Sequence, residues 1–137
     1  MNSRHIIATT GALLLWPGRS LAAERVFYEP GLAESAIKDG NVVFLDFWTK
    51  WCSTCAAQER VISRLRSTNP RYDAAITFIT VDWDRYSDSQ FARDLAIPRR
   101  STLVAMKGKT EIGRIVAGTS EEQIRNLLDS ALSAATS

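Results

Sequence analysis

Cys52 and Cys55 are the residues of this sequence best suited to chemistry, and they are its only cysteines. A predicted helix begins at Cys52. Unpaired backbone N–H groups in the first turn of a helix stabilise a thiolate and lower the pKa of a thiol from about 8.5 toward neutrality. Cys55 lies one turn further in, within reach of a mixed disulfide formed at Cys52. The spacing predicts thiol–disulfide exchange with Cys52 as the nucleophile and Cys55 as the resolving thiol.

Other roles of a cysteine pair fit this sequence less well. A zinc site needs four ligands, and the sole histidine, His5, lies in a segment that we expect to be removed. A structural disulfide across two intervening residues closes a very small loop and adds little stability. Two thiolates also suit soft ions such as Cu(I), so a metal-binding or metal-delivery module is an alternative, although no histidine supports it. No metal site is predicted.

The N-terminal 23 residues have the features of an export signal. Arg4 precedes an apolar stretch over residues 6–16, and small residues follow at 20–23. A membrane-spanning helix needs about 20 apolar residues, so this stretch is too short to act as an anchor. We therefore expect residues 1–23 to be removed as a signal peptide and residues 24–137 to form one exported domain, in the periplasm or elsewhere outside the cytoplasm.

The charge of the exported part argues against a nucleic-acid partner. The whole chain has 17 Lys and Arg residues against 15 Asp and Glu residues. Arg4 and Arg19 belong to the expected signal, so 15 basic residues are left to balance 15 acidic ones. A near-neutral domain offers no general attraction to a polyanion, and we expect no nucleic acid among its partners.

Alternating strands and helices are predicted to position the cysteine pair. The predicted elements are a helix over 31–38, a strand over 42–48, a helix from Cys52 to Asn69, a strand over 75–81, a helix over 87–95, two hairpin strands over 102–106 and 112–116, and a final helix opened by a capping box of Thr119 and Glu122. This order predicts an α/β fold in three layers, with a mixed central sheet flanked by helices.

The run from Phe44 to Cys55 resembles the active-site strand and helix start of the thioredoxin family, and the similarity extends in element order over about residues 31–132. The resemblance implies a thioredoxin-like fold and a redox-active disulfide that needs no other cofactor. It also implies that Trp51 packs beside the thiols and that Asp46 is a buried acid that moves a proton to or from Cys55. Burial raises the pKa of such a carboxyl toward the working range.

The loop before the predicted hairpin departs from the thioredoxin pattern. The family has a cis-proline there, whereas Ser101 occupies that position in this chain and Pro98 lies three residues earlier. A cis bond before a non-proline residue costs about 2.5–4 kcal/mol, so we expect the Arg100–Ser101 bond to be trans. Because this loop faces the cysteines in the family, the resemblance implies that Arg100 and Ser101 bind substrate or tune the thiolate.

The segment over residues 51–62 is most similar to the C-terminal domain of membrane-linked disulfide reductases of the bacterial periplasm. This similarity implies a reductase that acts on oxidised periplasmic proteins and receives electrons from a membrane thiol transporter. An oxidase that donates its disulfide is the alternative. Ser53 and Thr54 lie between the cysteines, where residue identity helps to set a potential that ranges from roughly −270 to −120 mV among such enzymes.

Overall fold

Ten helices and strands follow one another in residues 25–137, the part of the chain that the computed structural model describes. They are α1 (Leu32–Lys38), β1 (Val42–Trp48), α2 (Ser53–Thr68), α3 (Arg71–Ala75), β2 (Thr77–Asp82), α4 (Trp83–Tyr86), α5 (Gln90–Asp94), β3 (Thr102–Lys107), β4 (Thr110–Val116) and α6 (Glu121–Ala135). The predicted signal peptide lies outside the described residues. None of the helices in the described part is long and apolar enough to cross a membrane.

Four strands form one mixed sheet in the order β2-β1-β3-β4. β1 and β2 are parallel and are joined by helices, whereas β3 runs antiparallel to β1 and forms a hairpin with β4. Every residue of β1 except Trp48 is buried, which explains the nearly continuous apolar run that predicted a central strand. The predicted mixed sheet flanked by helices is confirmed.

The sheet separates two apolar clusters, and alternate residues of β1 face each of them. Phe44 belongs to the cluster packed against α2, α3 and α6, whereas Leu45 and Phe47 belong to the cluster packed against α1 and α5. Asp46 follows Phe44 by two positions and therefore faces the side of the sheet that α2 covers. β1 thus carries its one acid toward the helix that begins beside Cys52.

Several helices begin at side-chain caps that differ from the predicted boundaries. Ser89 accepts a hydrogen bond from the amide of Ala92 and caps α5, so the helix predicted over 87–95 is present but shorter, at Gln90–Asp94. The carboxylate of Asp82 accepts from the amide of Asp84 and starts α4, a helix that was not predicted. Ser120, rather than Thr119, caps α6 through the amide of Gln123. In all three helices the capping residue itself has extended backbone, which sequence spacing alone did not reveal.

Candidate active site

The two cysteines lie at the junction of β1 and α2, just beyond the carboxyl end of the interior strand β1. Cys52 is the N-cap of α2, and its sulfur accepts a hydrogen bond from the backbone amide of Cys55 at 3.1 Å. Cys52 is 5% exposed and Cys55 is fully buried, and both are free thiols. The reactive sulfur therefore replaces the usual oxygen of a helix cap, which places it at the positive end of the helix.

Ser101 provides a hydroxyl to both thiols. Its Oγ lies 3.1 Å from the sulfur of Cys52 and 3.1 Å from the sulfur of Cys55, and the residue is fully buried. A hydroxyl can donate to whichever sulfur carries the negative charge and accept from the other. The loop that the resemblance placed opposite the cysteines thus brings Ser101, rather than Pro98, to the reacting atoms.

The backbone of Ser101 explains why a proline does not occupy this position. Ser101 has φ of 62°, in the left-handed region, and its amide donates to the carbonyl oxygen of Phe47 at 2.7 Å. Proline fixes φ near −65° and has no N–H, so it can supply neither feature. All peptide bonds in residues 25–137 are trans, and the expectation of a trans Arg100–Ser101 bond is confirmed.

The surroundings of the two thiols separate their pKa values. Burial raises the pKa of Cys52. Hydrogen bonds from the Cys55 thiol, the Ser101 hydroxyl and the Cys55 amide lower this pKa by more than burial raises it, so that it falls to about 7. Burial and the hydrogen bond to Cys52 raise the pKa of Cys55. The thiolate that is present at neutral pH is therefore that of Cys52, the more accessible sulfur.

Asp46 is buried behind the cysteine pair, with 6% of its surface exposed. Burial raises its pKa to about 7, the negative charges of Glu59 and Cys52 also raise it, and the positive charge of Arg25 opposes them. A cavity of about 20 Å³ adjoins Asp46, Arg25 and Glu59, and this volume admits one water molecule. A carboxyl with a pKa near 7 beside such a cavity can exchange protons at neutral pH.

Arg25 and Glu59 form an ion pair at 3.1 Å beside the same cavity. The guanidinium of Arg25 also lies 4.7 Å from the ring centre of Trp48. Neither charged residue was predicted as part of the site. Glu59 lies one helical turn beyond Cys55, so the spacing on α2 could have indicated it, whereas nothing in the sequence pairs Arg25 with a residue so far along the chain.

Trp51 lies on the surface next to the cysteines, with 58% of its area exposed. Its indole nitrogen donates to the carboxylate of Asp84 at 2.8 Å, and the guanidinium of Arg100 lies 4.3 Å from its ring centre. These contacts connect the cysteine loop to α4 and to the Ser101 loop. Trp51 thus packs against Arg100 at the rim of the site and does not lie in the core.

No group of three or more His, Cys, Asp and Glu side chains within residues 25–137 is arranged to hold a metal ion. The site consists instead of a thiol pair, a hydroxyl and a carboxyl, which together serve nucleophilic attack and proton transfer.

The sequence model of the family described as Thioredoxin matches residues 31–130, a span that includes the cysteine pair, Asp46 and Ser101. The chain belongs to the thioredoxin family. It is a thiol–disulfide oxidoreductase whose cysteine pair, Cys52 and Cys55, carries the redox chemistry without a cofactor.

Individual relatives support this membership. The thioredoxin of Echinococcus granulosus is 28% identical over 95 residues, which are 69% of this chain and 82% of that protein. Thioredoxin H4-1 of Oryza sativa subsp. japonica is 27% identical over 99 residues, which are 70% of this chain and 71% of that protein. These sequences support the thioredoxin assignment over most of the described domain.

Solved structures share the thioredoxin fold with this chain. Trxlp of Edwardsiella tarda aligns with a TM-score of 0.65 and 23% identity over 75% of this chain and 97% of that chain. The thioredoxin of Malassezia sympodialis aligns with a TM-score of 0.64 and 23% identity over 80% of this chain and 95% of that chain. At this identity the alignments show the thioredoxin-like fold.

Replacing Ser101 by alanine is expected to raise the pKa of Cys52 by about one to two units, because a hydrogen bond to a charged group contributes about 1.5–3 kcal/mol. The pH dependence of the alkylation rate of Cys52 in the reduced protein measures this shift. Ser67→Ala is the control, because its hydroxyl donates to the carbonyl oxygen of Arg64 on α2, away from the thiols. An unchanged Cys52 pKa in Ser101→Ala would show that the hydroxyl does not stabilise the thiolate.

Proposed function

We propose that this thioredoxin-family protein is exported and reduces disulfides of oxidised periplasmic proteins with electrons from a membrane thiol transporter. The main structural support for thiol exchange at Cys52 and Cys55 is the position of the Ser101 hydroxyl, which lies 3.1 Å from both sulfurs. Export is supported by the signal-like sequence of residues 1–23. The reducing direction is supported by the similarity of residues 51–62 to periplasmic disulfide reductases.

The first half of the reaction uses the low pKa of Cys52. Its thiolate attacks one sulfur of the substrate disulfide, forms a mixed disulfide and releases the other substrate sulfur as a thiolate, which then takes a proton. The Ser101 hydroxyl is placed to donate to Cys52 before the attack. Charge leaves Cys52 in this step and passes to the substrate.

The second half uses Cys55 and Asp46. Asp46, with a pKa of about 7, is ionised in a substantial fraction of molecules at neutral pH and can accept the proton of Cys55. The Cys55 thiolate attacks the sulfur of Cys52, releases the second substrate thiol and forms the Cys52–Cys55 disulfide. Two electrons have then passed to the substrate, and a dithiol of the transporter restores the reduced pair by the same exchange in reverse.

The substrate is expected to contact side chains at the rim of the site. The backbone amide and carbonyl of Ser101 are already bonded to Phe47 and Ala117, and the carbonyl of Arg100 accepts from Arg99 at 3.0 Å. The exposed indole of Trp51 and the guanidinium of Arg100 therefore offer the accessible contact surface beside Cys52. Aromatic and arginine side chains are favoured where proteins bind one another.

A trapping experiment in the export compartment tests the proposal. Cys55→Ser cannot resolve a mixed disulfide, so the variant is expected to accumulate substrates and its electron donor bound through Cys52. Periplasmic and membrane fractions are separated without reductant, and trapped proteins are identified by mass spectrometry. Cys52→Ser combined with Cys55→Ser is the matched control and should trap nothing. Recovery of the protein only from the cytoplasm, or no trapped protein where the wild type is active, would overturn the proposal.

A further inference from the structure

Gln58 is a fully buried polar side chain on α2, three residues beyond Cys55, with no part in the exchange steps described above. Its Nε2 donates to the carbonyl oxygen of Ser101 at 2.9 Å and to the carbonyl oxygen of Gly118 at 3.0 Å. Both partners are acceptors, so the two hydrogens of the amide NH₂ satisfy both. One side chain thus ties the helix of the cysteines to two separate loops.

The two loops held by Gln58 contain unusual backbone. Ser101 has φ of 62° and Ala117 has φ of 61°, both in the left-handed region that residues other than glycine rarely adopt. The amide of Ala117 donates to the same Ser101 carbonyl at 2.8 Å. Strained residues of this kind persist only where their surroundings hold them in place. The Gln58 amide donates to the Ser101 carbonyl oxygen, the same atom that accepts from Ala117.

Burial of an amide at this position is not what packing alone favours. Other buried positions further along α2 are apolar, namely Val61, Ile62 and Leu65. The Oε1 of Gln58 is buried and has no hydrogen-bond partner among the described residues, which carries a free-energy cost. An apolar side chain of similar size would avoid that cost, so the amide is explained by the geometry that it imposes on Ser101.

We propose that Gln58 is a positioning residue of the active site, which holds the Ser101 loop so that its hydroxyl reaches both cysteine sulfurs. This inference rests on the proposed action of Cys52 and Ser101 and adds a residue that sets their geometry. Gln58 touches neither sulfur, and its influence on the thiolate passes through Ser101. Loss of the amide should therefore weaken the thiolate in the same way as loss of the hydroxyl.

Gln58→Met tests this proposal, because methionine has a similar length and no hydrogen-bond donor. The alkylation rate of Cys52 is measured against pH in the wild type, in Gln58→Met, in Ser101→Ala and in the double variant. At pH 6 we expect Gln58→Met to react about threefold to tenfold more slowly than the wild type, because a smaller fraction of Cys52 is thiolate. In the Ser101→Ala background the same substitution should change the rate by less than about 1.5-fold, since coupled residues are not additive.

Gln123→Met is the matched control, because Gln123 adjoins the same Gly118 turn, whereas the side chains bonded to Ser101 in the described residues are those of Cys52, Cys55 and Gln58. An equal slowing by Gln58→Met in both backgrounds, or no slowing in the wild type, would overturn the proposal. If Gln58→Met folds poorly, the rates are measured again with Ala117→Gly present in every sample. Glycine adopts the left-handed conformation without strain, so this second substitution lowers the cost of folding without the Gln58 amide. Reduction of a disulfide substrate by the same samples separates the outcomes. A Ser101→Ala shift without a Gln58→Met shift refutes only the role of Gln58, whereas a wild type without Cys52-dependent turnover refutes the proposed function.

Discussion

Cys52→Ser is expected to lose disulfide reduction, by at least about 10³-fold, because a serine hydroxyl does not ionise at neutral pH and cannot replace the attacking thiolate. Cys55→Ser should also lose turnover, yet it should retain rapid alkylation at Cys52. The contrast follows from the structure, in which Cys52 has a pKa of about 7 and Cys55 has a raised one. The measurements are the reduction of an oxidised protein in the presence of dithiothreitol and the alkylation rate of each variant at pH 7.

The double variant with both serines is the control for background reduction by dithiothreitol. Rapid alkylation of Cys52→Ser together with slow alkylation of Cys55→Ser would reverse the roles of the two thiols. Equal rates in both single variants would contradict the lowered pKa of Cys52 and the raised pKa of Cys55.

Asp46→Asn is expected to stabilise the reduced protein at pH 9 by about 4 kcal/mol, since each unit of pKa shift corresponds to 1.36 kcal/mol. Burial raises the pKa of Asp46 from 3.8 to about 7, so the folded state binds its proton more tightly than the unfolded state. This contribution favours folding fully below pH 3.8, declines as the pH rises toward 7 and is absent above it. Asparagine keeps the shape without the charge and avoids the cost of a buried carboxylate at high pH.

Urea unfolding of the reduced wild type and of Asp46→Asn at pH 4 and pH 9 measures the effect. The gain should be large at pH 9 and small at pH 4, and exposed Asp39→Asn should change stability little at either pH. Equal stabilisation at both pH values would show that Asp46 is not a buried acid with a raised pKa.

The same Asp46→Asn variant should resolve mixed disulfides about 10²-fold more slowly, because proton transfer by a positioned group typically contributes that much.

The parts of the fold that depend on local pattern could be predicted from the sequence. The apolar run of β1 with its single acid indicated a central strand, and the glycine-containing connection indicated the β3–β4 hairpin. The cysteine spacing at a helix start indicated both the chemistry and the order of the two thiols. In each case, neighbouring residues determine the feature, and their periodicity is visible in the sequence.

The contacts that tune the site could not be predicted in this way. Gln58 bonds Ser101 across 43 positions, and Arg25 meets Glu59 only because the N-terminal segment lies beside β2. These pairs depend on how separate loops meet in three dimensions, which periodicity does not encode. The position of Ser101 was expected from its place before the hairpin, whereas its bonds to both sulfurs depend on a left-handed backbone.

The most direct test of the redox role is the equilibrium reduction potential of the Cys52–Cys55 pair. The purified protein is equilibrated in thiol–disulfide buffers of graded potential, quenched by alkylation and analysed by mass spectrometry. We expect both thiols to disappear together in one two-electron transition between about −270 and −120 mV, the range of working thiol–disulfide oxidoreductases. Thiols that never pair, or a disulfide with a potential below about −300 mV, which is typical of a structural bond, would contradict it.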